Sequence, residues 1–310
     1  MEQHKIEVLL AAYNGAAYLE EQIDSILSQT YGNWILTISD DGSSDGTNGI
    51  IDRYVNEYPE KLRRLRSGKH FGSPKDHFMW LIGQSDADWI VLSDQDDVFF
   101  DWKFEKMAAL MQKAEQTDGA DKPILIFSDQ TPTDARLYPL CDSLMKMQDQ
   151  YTDVIDWRSL LLQNVVTGGA CMFNRALAKL AGKCADISGI IMHDWWLGIV
   201  AACFGKVCYL NESTGYYRQH GSNAVGAKFV NRPSYIWERL RRMDEIKKHI
   251  AERKRQAAIF TRTYGEALSS EERKFILRFS KRRSGPFFYI RYHKLLHGSP
   301  HRLIGMILLG

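Results

Sequence analysis

Apolar positions along the chain fall into two alternating textures. Ile6–Ala12 (IEVLLAA) is a short, nearly continuous apolar run ending in Tyr13-Asn14-Gly15, which predicts a buried strand and a turn. Leu19, Ile23, Ile26 and Leu27 then recur at helical spacing. Trp34–Ser39 reads as a second strand, stopping at Asp40-Asp41-Gly42. Ile50, Ile51, Tyr54 and Val55 predict a helix ending before Pro59, and Phe78, Leu81 and Ile82 predict another. Trp89–Ser93 (WIVLS) predicts a strong strand stopping at Asp94. A helix through Met107, Leu110 and Met111 and a strand at Ile124–Ser128 follow. Strands alternating with helices imply an α/β fold with a mostly parallel sheet covered on both faces.

Beyond Pro139 the pattern loosens. Trp157–Gln163 predicts a helix, and Val165–Phe173 contains Thr167-Gly168-Gly169, where backbone should approach something closely. His193–Cys203 predicts a helix with Asp194 near its N-terminus, and Lys206–Leu210 and Gly215–Arg218 predict short strands. From Pro233 the chain becomes charged helix, with Trp237, Leu240, Ile246 and Ile250 among many Lys, Arg and Glu. A boundary near residue 230 divides a body, 1–230, from a helical basic tail, 231–310. Within the body, two halves are expected, over about 1–130 and about 131–230.

Composition narrows the class. At 310 residues, 45% hydrophobic and 25% charged, the chain supports a sizeable core and is not disordered. The five cysteines include no CxxC pair, so a disulfide framework or structural zinc site is not expected. The polar start, Met1 to Lys5, predicts no leader, and no run of 18 apolar residues predicts a membrane span. A cytoplasmic protein is expected. The net charge of +2 hides an asymmetry: from Lys274 onward there are eight Lys/Arg and no Asp or Glu. Phe287-Phe288-Tyr289-Ile290, Leu295-Leu296 and Met306–Leu309 mix with those cations, which predicts a peripheral anchor on an anionic membrane surface. Nucleic acid fits less well, because no recognition motif accompanies the charge.

Two acidic clusters sit at predicted strand ends, the edge where ligands bind in open α/β sheets. In Asp94-Gln95-Asp96-Asp97, carboxylates at i and i+2 on a turn can face one hard cation, Mg2+ or Mn2+. A solvated acidic turn is the plainer alternative. Counted from Asp41, the other cluster places Asp41, Ser43, Asp45, Gly46 and Asp52 at calcium-loop positions. A preceding strand, Asn48 at the apolar position and Asp rather than Glu at the last position count against calcium. The alternative is a carboxylate that accepts the imide N–H of a uracil or thymine ring, with Asp45 and Thr47 capping the next helix.

Four motifs in order, Ala11-Ala12-Tyr13-Asn14, Gln22 to Tyr31, Asp40 to Thr47 and Asp94 to Asp97, resemble family 2 glycosyltransferases over roughly residues 5–105. Asp94-Gln95-Asp96-Asp97 and His193-Asp194-Trp195-Trp196 are most similar to rhamnosyltransferase-like bacterial members. The resemblance implies a GT-A fold, Rossmann-like with helices on both faces, and an inverting reaction. It implies that Ala11, Tyr13, Asn14 and Asp41 meet the nucleotide, Asp41 through its base. It implies that Asp94 and Asp96 form the DxD motif, which meets ribose and a Mg2+ or Mn2+ ion, with His220 completing the metal site. Gly168 and Gly169 fall in a loop near the donor phosphates and acceptor. Asp194 matches the catalytic base; a helix-capping aspartate is the plain structural reading. Asp76 stands where the family often has an amide, and Phe99-Phe100-Asp101 departs from the usual aromatic-aliphatic-Pro. Arg218 is a candidate phosphate contact.

The expected function is transfer of a sugar, L-rhamnose first, from a UDP- or dTDP-sugar to a hydroxyl of a bacterial surface polysaccharide or lipid-linked glycan. The rivals are a sugar-nucleotide nucleotidyltransferase and a calcium-binding interaction module. The nucleotidyltransferase usually carries a basic Gly-rich loop after its first strand, and Tyr13-Asn14-Gly15-Ala16-Ala17 has no basic residue.

Overall fold

This computed structural model describes residues 4–150, 152, 155–221 and 243–280. The eight strands are β1 (Ile6–Ala12), β2 (Trp34–Asp40), β3 (Leu62–Arg64), β4 (Trp89–Ser93), β5 (Val98–Phe99), β6 (Ile124–Thr133), β7 (Cys171–Asn174) and β8 (Lys206–Arg218). They form one sheet in the order β3-β2-β1-β4-β7-β6-β8-β5. The first four in that order run parallel, and β8 runs parallel to β6. β7 runs against both β4 and β6, and β5 against β8. The α/β sheet expected from the sequence is therefore present, with parallel pairs in the majority.

The described helices are α1 (Leu19–Leu27), α2 (Thr47–Glu57), α3 (Pro74–Gln84), α4 (Lys103–Asp118), α5 (Leu144–Met147), α6 (Trp157–Leu162), α7 (Arg175–Ala181), α8 (His193–Phe204), α9 (Met243–Tyr264) and α10 (Ser270–Ser280). Their distribution explains why β1 and β4 are apolar almost throughout. Successive strand residues face opposite sides, and each side has its own core. Val8, Leu10 and Val91 join Ile23, Ile51, Phe104 and Met107 from α1, α2 and α4. Leu9, Ile90 and Leu92 join Phe78, Leu161, Leu177, Trp196 and Phe260 on the other side, from α3, α6, α7, α8 and α9.

Several elements differ from the sequence expectation. The two short strands expected at Lys206–Leu210 and Gly215–Arg218 are one strand, β8, paired to β6 across register shifts near Asp129. β3, β5, α5 and α7 were not expected. α9 and α10 lie in the stretch assigned to the basic tail, and they share the core of the body. Trp196 packs edge-on against Phe260 with centroids 5.6 Å apart, and the Tyr264 hydroxyl donates to Leu180 O at 2.8 Å. Trp237, Leu240 and the aliphatic clusters after Ser280 lie outside the described residues. Among the described residues, no helix is long and apolar enough to cross a membrane, and all five cysteines are unbridged.

Because Phe260 of α9 is fully buried against α8, Phe260→Ala is expected to cost about 3–5 kcal/mol of stability. The denaturant midpoint of the whole chain checks this; an unchanged midpoint would show that α9 is only loosely attached.

Candidate active site at the sheet edge

The strand directions bring separate segments to one edge. β1, β2 and β4 are parallel neighbours, with Ala12 beside Asp40 and Leu10 beside Ser93. Tyr13, Asp41 and Asp94 therefore leave the sheet together. β6 and β8 end at the same edge, delivering Gln130 and, just beyond β8, His220. β7 is reversed, so its beginning lies there, preceded by the 3-10 turn Gly168–Ala170.

The loop after β1 is braced from two sides. Asn14 adopts a left-handed conformation, φ 49°, and its Oδ1 accepts the Ser44 N–H at 2.9 Å. The N–H groups of Asn14, Gly15 and Ala16 donate to Ser43 Oγ, Thr47 Oγ1 and Asp45 Oδ2 at 2.8, 2.9 and 3.1 Å. Asp40 Oδ2 accepts the Gly42 and Ser43 N–H groups, and Asp45 Oδ1 accepts that of Thr47. Asp52 pairs with Arg64. At the calcium-loop positions Ser43, Asp45 and Asp52 the side-chain oxygens thus meet backbone N–H groups or a guanidinium, and this stretch braces the loop. From the other side, the Gln95 amide makes two bonds with Tyr13. Its Oε1 accepts the Tyr13 N–H at 2.7 Å and its Nε2 donates to Tyr13 O at 2.9 Å.

Asp41 is buried, and its two oxygens accept the N–H groups of Phe71 at 2.5 Å and Gly72 at 2.9 Å. Gly72 has φ 66°, a conformation that favours glycine. The Tyr13 ring is half exposed and lies 5.8 Å from the His70 ring, so an aromatic wall and the Asp41 carboxylate share this end of the edge. Ala11 contributes backbone at the end of β1, beside Ser39.

Asp94, Asp96 and Asp97 crowd the next position. Burial pushes the Asp94 carboxyl well above the usual range, and Asp97, Asp96 and Asp194 push it further. Burial, with Asp96 beside it, takes Asp97 up to about 7, against hydrogen bonds from Gln130 and the Arg218 N–H. Asp96 Oδ2 meets His220 Nε2 at 2.8 Å, and the His220 ring packs 4.6 Å from Tyr18. Arg218 does not present its guanidinium to a phosphate, as the sequence had suggested. Its Nε donates to Asp96 O and its Nη1 to Ala135 O, both at 2.9 Å, and its Nη2 pairs with Glu21. It shapes the acidic turn from behind.

These residues fit a hard divalent cation in donor type. Among the described residues the Asp94 carboxylate takes no hydrogen bond, although three neighbouring carboxylates make its charge costly. Two or three oxygen and imidazole donors suit Mg2+ or Mn2+, which keeps waters and shares phosphate oxygens. Asp96 and His220 are brought together, and Asp94 lies beside Gly169 and Asp97. No group of three His, Cys, Asp or Glu side chains is gathered in ligating arrangement among the described residues.

Asp194 sits in the first turn of α8, almost buried. Burial raises its carboxyl to about 7, although the Trp195 and Gly168 N–H groups and the Asn164 side chain hydrogen-bond to it. Met192 is the N-cap of α8, so Asp194 is not the capping residue. Next to it, His193 is buried, neutral and held down to about 3 by desolvation, with neither ring nitrogen hydrogen-bonded among the described residues. Trp195 and Trp196 both bury their rings, donating to Leu160 O and Ala181 O, and are core rather than sugar platforms. The glycine pair closes the gap between clusters. A Cβ at Gly168 would fall 2.9 Å from His193 Nε2, and one at Gly169 would fall 2.6 Å from Asp97 Oδ2 and 3.4 Å from Asp94 Oδ2.

Sequence reasoning missed Gln95, Lys103, Gln130 and Asn164. Gln95 carried a signal, since it stands between two acidic residues on a turn; the other three are placed by long-range packing.

Comparison with known proteins identifies the family. Residues 7–179 match the family described as Glycosyl transferase family 2. The chain is 31% identical over 137 residues to the putative glycosyltransferase EpsE of Bacillus subtilis, covering 44% of this chain and 48% of that one. It is 26% identical to the dTDP-rhamnosyl transferase RfbG of Shigella flexneri, over 73% of this chain and 76% of that one. The chain thus spans about half the length of EpsE. Among solved structures, S. aureus TarS in complex with UDP-GlcNAc superposes with a TM-score of 0.54 at 15% identity, covering 98% of this chain and 84% of that one. The mannosyltransferase PcManGT of Pyrobaculum calidifontis, in complex with GDP-Man and Mn2+, gives 0.52 at 14%, over 99% and 87%. Those likenesses show the GT-A fold, and the family match extends over more than half of the residues, so the chain belongs to glycosyl transferase family 2.

Proposed function

We propose that this protein is an inverting glycosyltransferase that moves a sugar from a nucleoside diphosphate to an acceptor hydroxyl, with Asp194 as general base. The observation that carries the reading is the gathering, at one sheet edge, of a base-sized wall at Tyr13 and Asp41, an acidic turn and a buried carboxylate with a raised pKa. Each Asp41 oxygen has a lone-pair direction left after accepting Phe71 or Gly72, and this suits the imide N–H of uracil or thymine. Tyr13 flanks the ring, and the braced Asn14 loop fixes both. Asp94 and Asp96, with His220, would hold a divalent cation, which when bound offsets the charge of the diphosphate leaving group. Support for a metal and a nucleotide sugar comes from PcManGT, seen with GDP-Man and Mn2+, and from TarS, seen with UDP-GlcNAc.

Asp194 takes the acceptor proton as the hydroxyl attacks the face of the sugar opposite the diphosphate. Its raised pKa makes the carboxylate a stronger base than an exposed aspartate. L-rhamnose from its dTDP form is the first choice of donor, by relation to the dTDP-rhamnosyl transferase of Shigella flexneri. The acceptor is a surface polysaccharide or lipid-linked glycan, and the cationic, aliphatic stretch beyond Ser280 would rest on the membrane that carries it.

Thermal stabilisation and slow hydrolysis, screened across UDP-, dTDP- and GDP-sugars with Mn2+ or Mg2+, test the reading. Binding of none of them would overturn it. Asp194→Asn is expected to lower turnover on the order of a hundred- to ten-thousand-fold while nucleotide binding persists; loss of both would deny Asp194 the role of base. Because the base works ionised and burial holds it up to about 7, turnover should be low in acid, rise through about pH 7 and level above it. A rate already flat from pH 5 upward would contradict that. Asp96→Ala is expected to weaken donor binding in Mn2+ and leave metal-free binding alone; isothermal titration with and without metal reads both.

A further inference from the structure

Lys103 is the first residue of α4 and has no exposed surface. A lysine rarely gives up water without paired charge, so its surroundings are informative. Its Nζ donates to Gly169 O and stands 3.3 Å from the centre of the Phe99 ring. Burial lowers the Lys103 ammonium to about 7, and Asp97 and Asp94, whose charges favour its protonated form, oppose that loss. Gly169 in turn lies flush on those two carboxylates, with no room for a Cβ between them. Lys103 therefore touches the glycine turn and acts on the acidic turn from within the core.

We propose that Lys103 is a positioning residue with two effects: it clamps the Gly168-Gly169 turn onto Asp94 and Asp97, and it lowers the free protein's affinity for a divalent cation. The second effect follows from charge. An ammonium and a metal ion offset the same carboxylates, so a proton kept on Lys103 by Asp97 and Asp94 weakens their pull on a metal ion. The clamp also reaches the base, because the Gly168 N–H is one of the groups that hold the Asp194 carboxylate. This inference rests on the metal reading given above.

Direct Mn2+ titration of the ligand-free protein, with unbound Mn2+ counted by its EPR signal, tests it in four proteins. Wild type should bind Mn2+, and Asp96→Ala should bind it more weakly. Lys103→Gln, which keeps a hydrogen-bond donor without the charge, should bind Mn2+ about tenfold or more tighter than wild type. Lys103→Arg, which keeps the charge on a different geometry, should stay within about threefold of wild type in Mn2+ affinity yet turn over donor more slowly. A merely structural lysine would weaken metal binding when replaced, or leave it alone. Unchanged or weaker Mn2+ binding by Lys103→Gln overturns this inference alone. So does failure of both Lys103 variants to fold, judged by circular dichroism, which would assign Lys103 to the core. A wild type without Mn2+ binding, or an Asp96→Ala protein that binds as well, overturns the metal reading and this inference with it.

Discussion

Burial and neighbouring carboxylates raise the cost of ionising Asp94 and Asp97, and burial raises that of Asp194. Like charges brought that close from four chain positions would spring apart unless something opposed them. The opposition is distributed. Lys103 acts from within the core, Gln130 and the Arg218 backbone bind Asp97, His220 faces Asp96, and backbone N–H groups meet Asp194. These groups come from α4, β6, the end of β8 and the start of α8, so the cluster exists only once the sheet and the helices on both its faces are assembled.

The reversal of β7 is what makes the cluster possible. A parallel strand in that place would begin at the far edge and carry its preceding turn away from the carboxylates. Running against β4 and β6, β7 starts at the edge that carries the carboxylates. The turn before it can then be built of Gly168 and Gly169, whose missing side chains leave room for His193 on one side and Asp97 on the other. α8, which starts beside that turn with Asp194, is held at its far end by Phe260 and Tyr264 against Phe204. Asp194, the glycine turn and the acidic turn are thus fixed relative to one core.

Much of this was legible from residue order. β1 and β4 announce themselves because both faces of each strand are buried, which leaves a continuous apolar run. β3 (LRR) and β5 (VF) do not, because two or three edge residues carry no period. β8 read as two strands because Asn211 and Glu212 are exposed and interrupt the run where its register with β6 shifts. In the site, acidic residues at strand ends were visible, since carboxylates there have few other uses. Their partners were not. Lys103 sits in a helix with lysines on its surface, and nothing local separates the buried one from the rest. Arg218 misled for the complementary reason: a guanidinium near an acidic motif suggests an anion, and only the fold shows Glu21 and two backbone carbonyls already there.

Gln95 has a consequence of a different kind. By bonding both polar groups of the Tyr13 backbone, it welds the loop after β1 to the turn after β4. Two loops that would otherwise wander independently lose that freedom during folding rather than on meeting a ligand. The entropy of ordering them is already spent before any encounter. A long, flexible molecule lying across both loops then has only its own freedom to lose, and contact with one loop finds the other waiting in register.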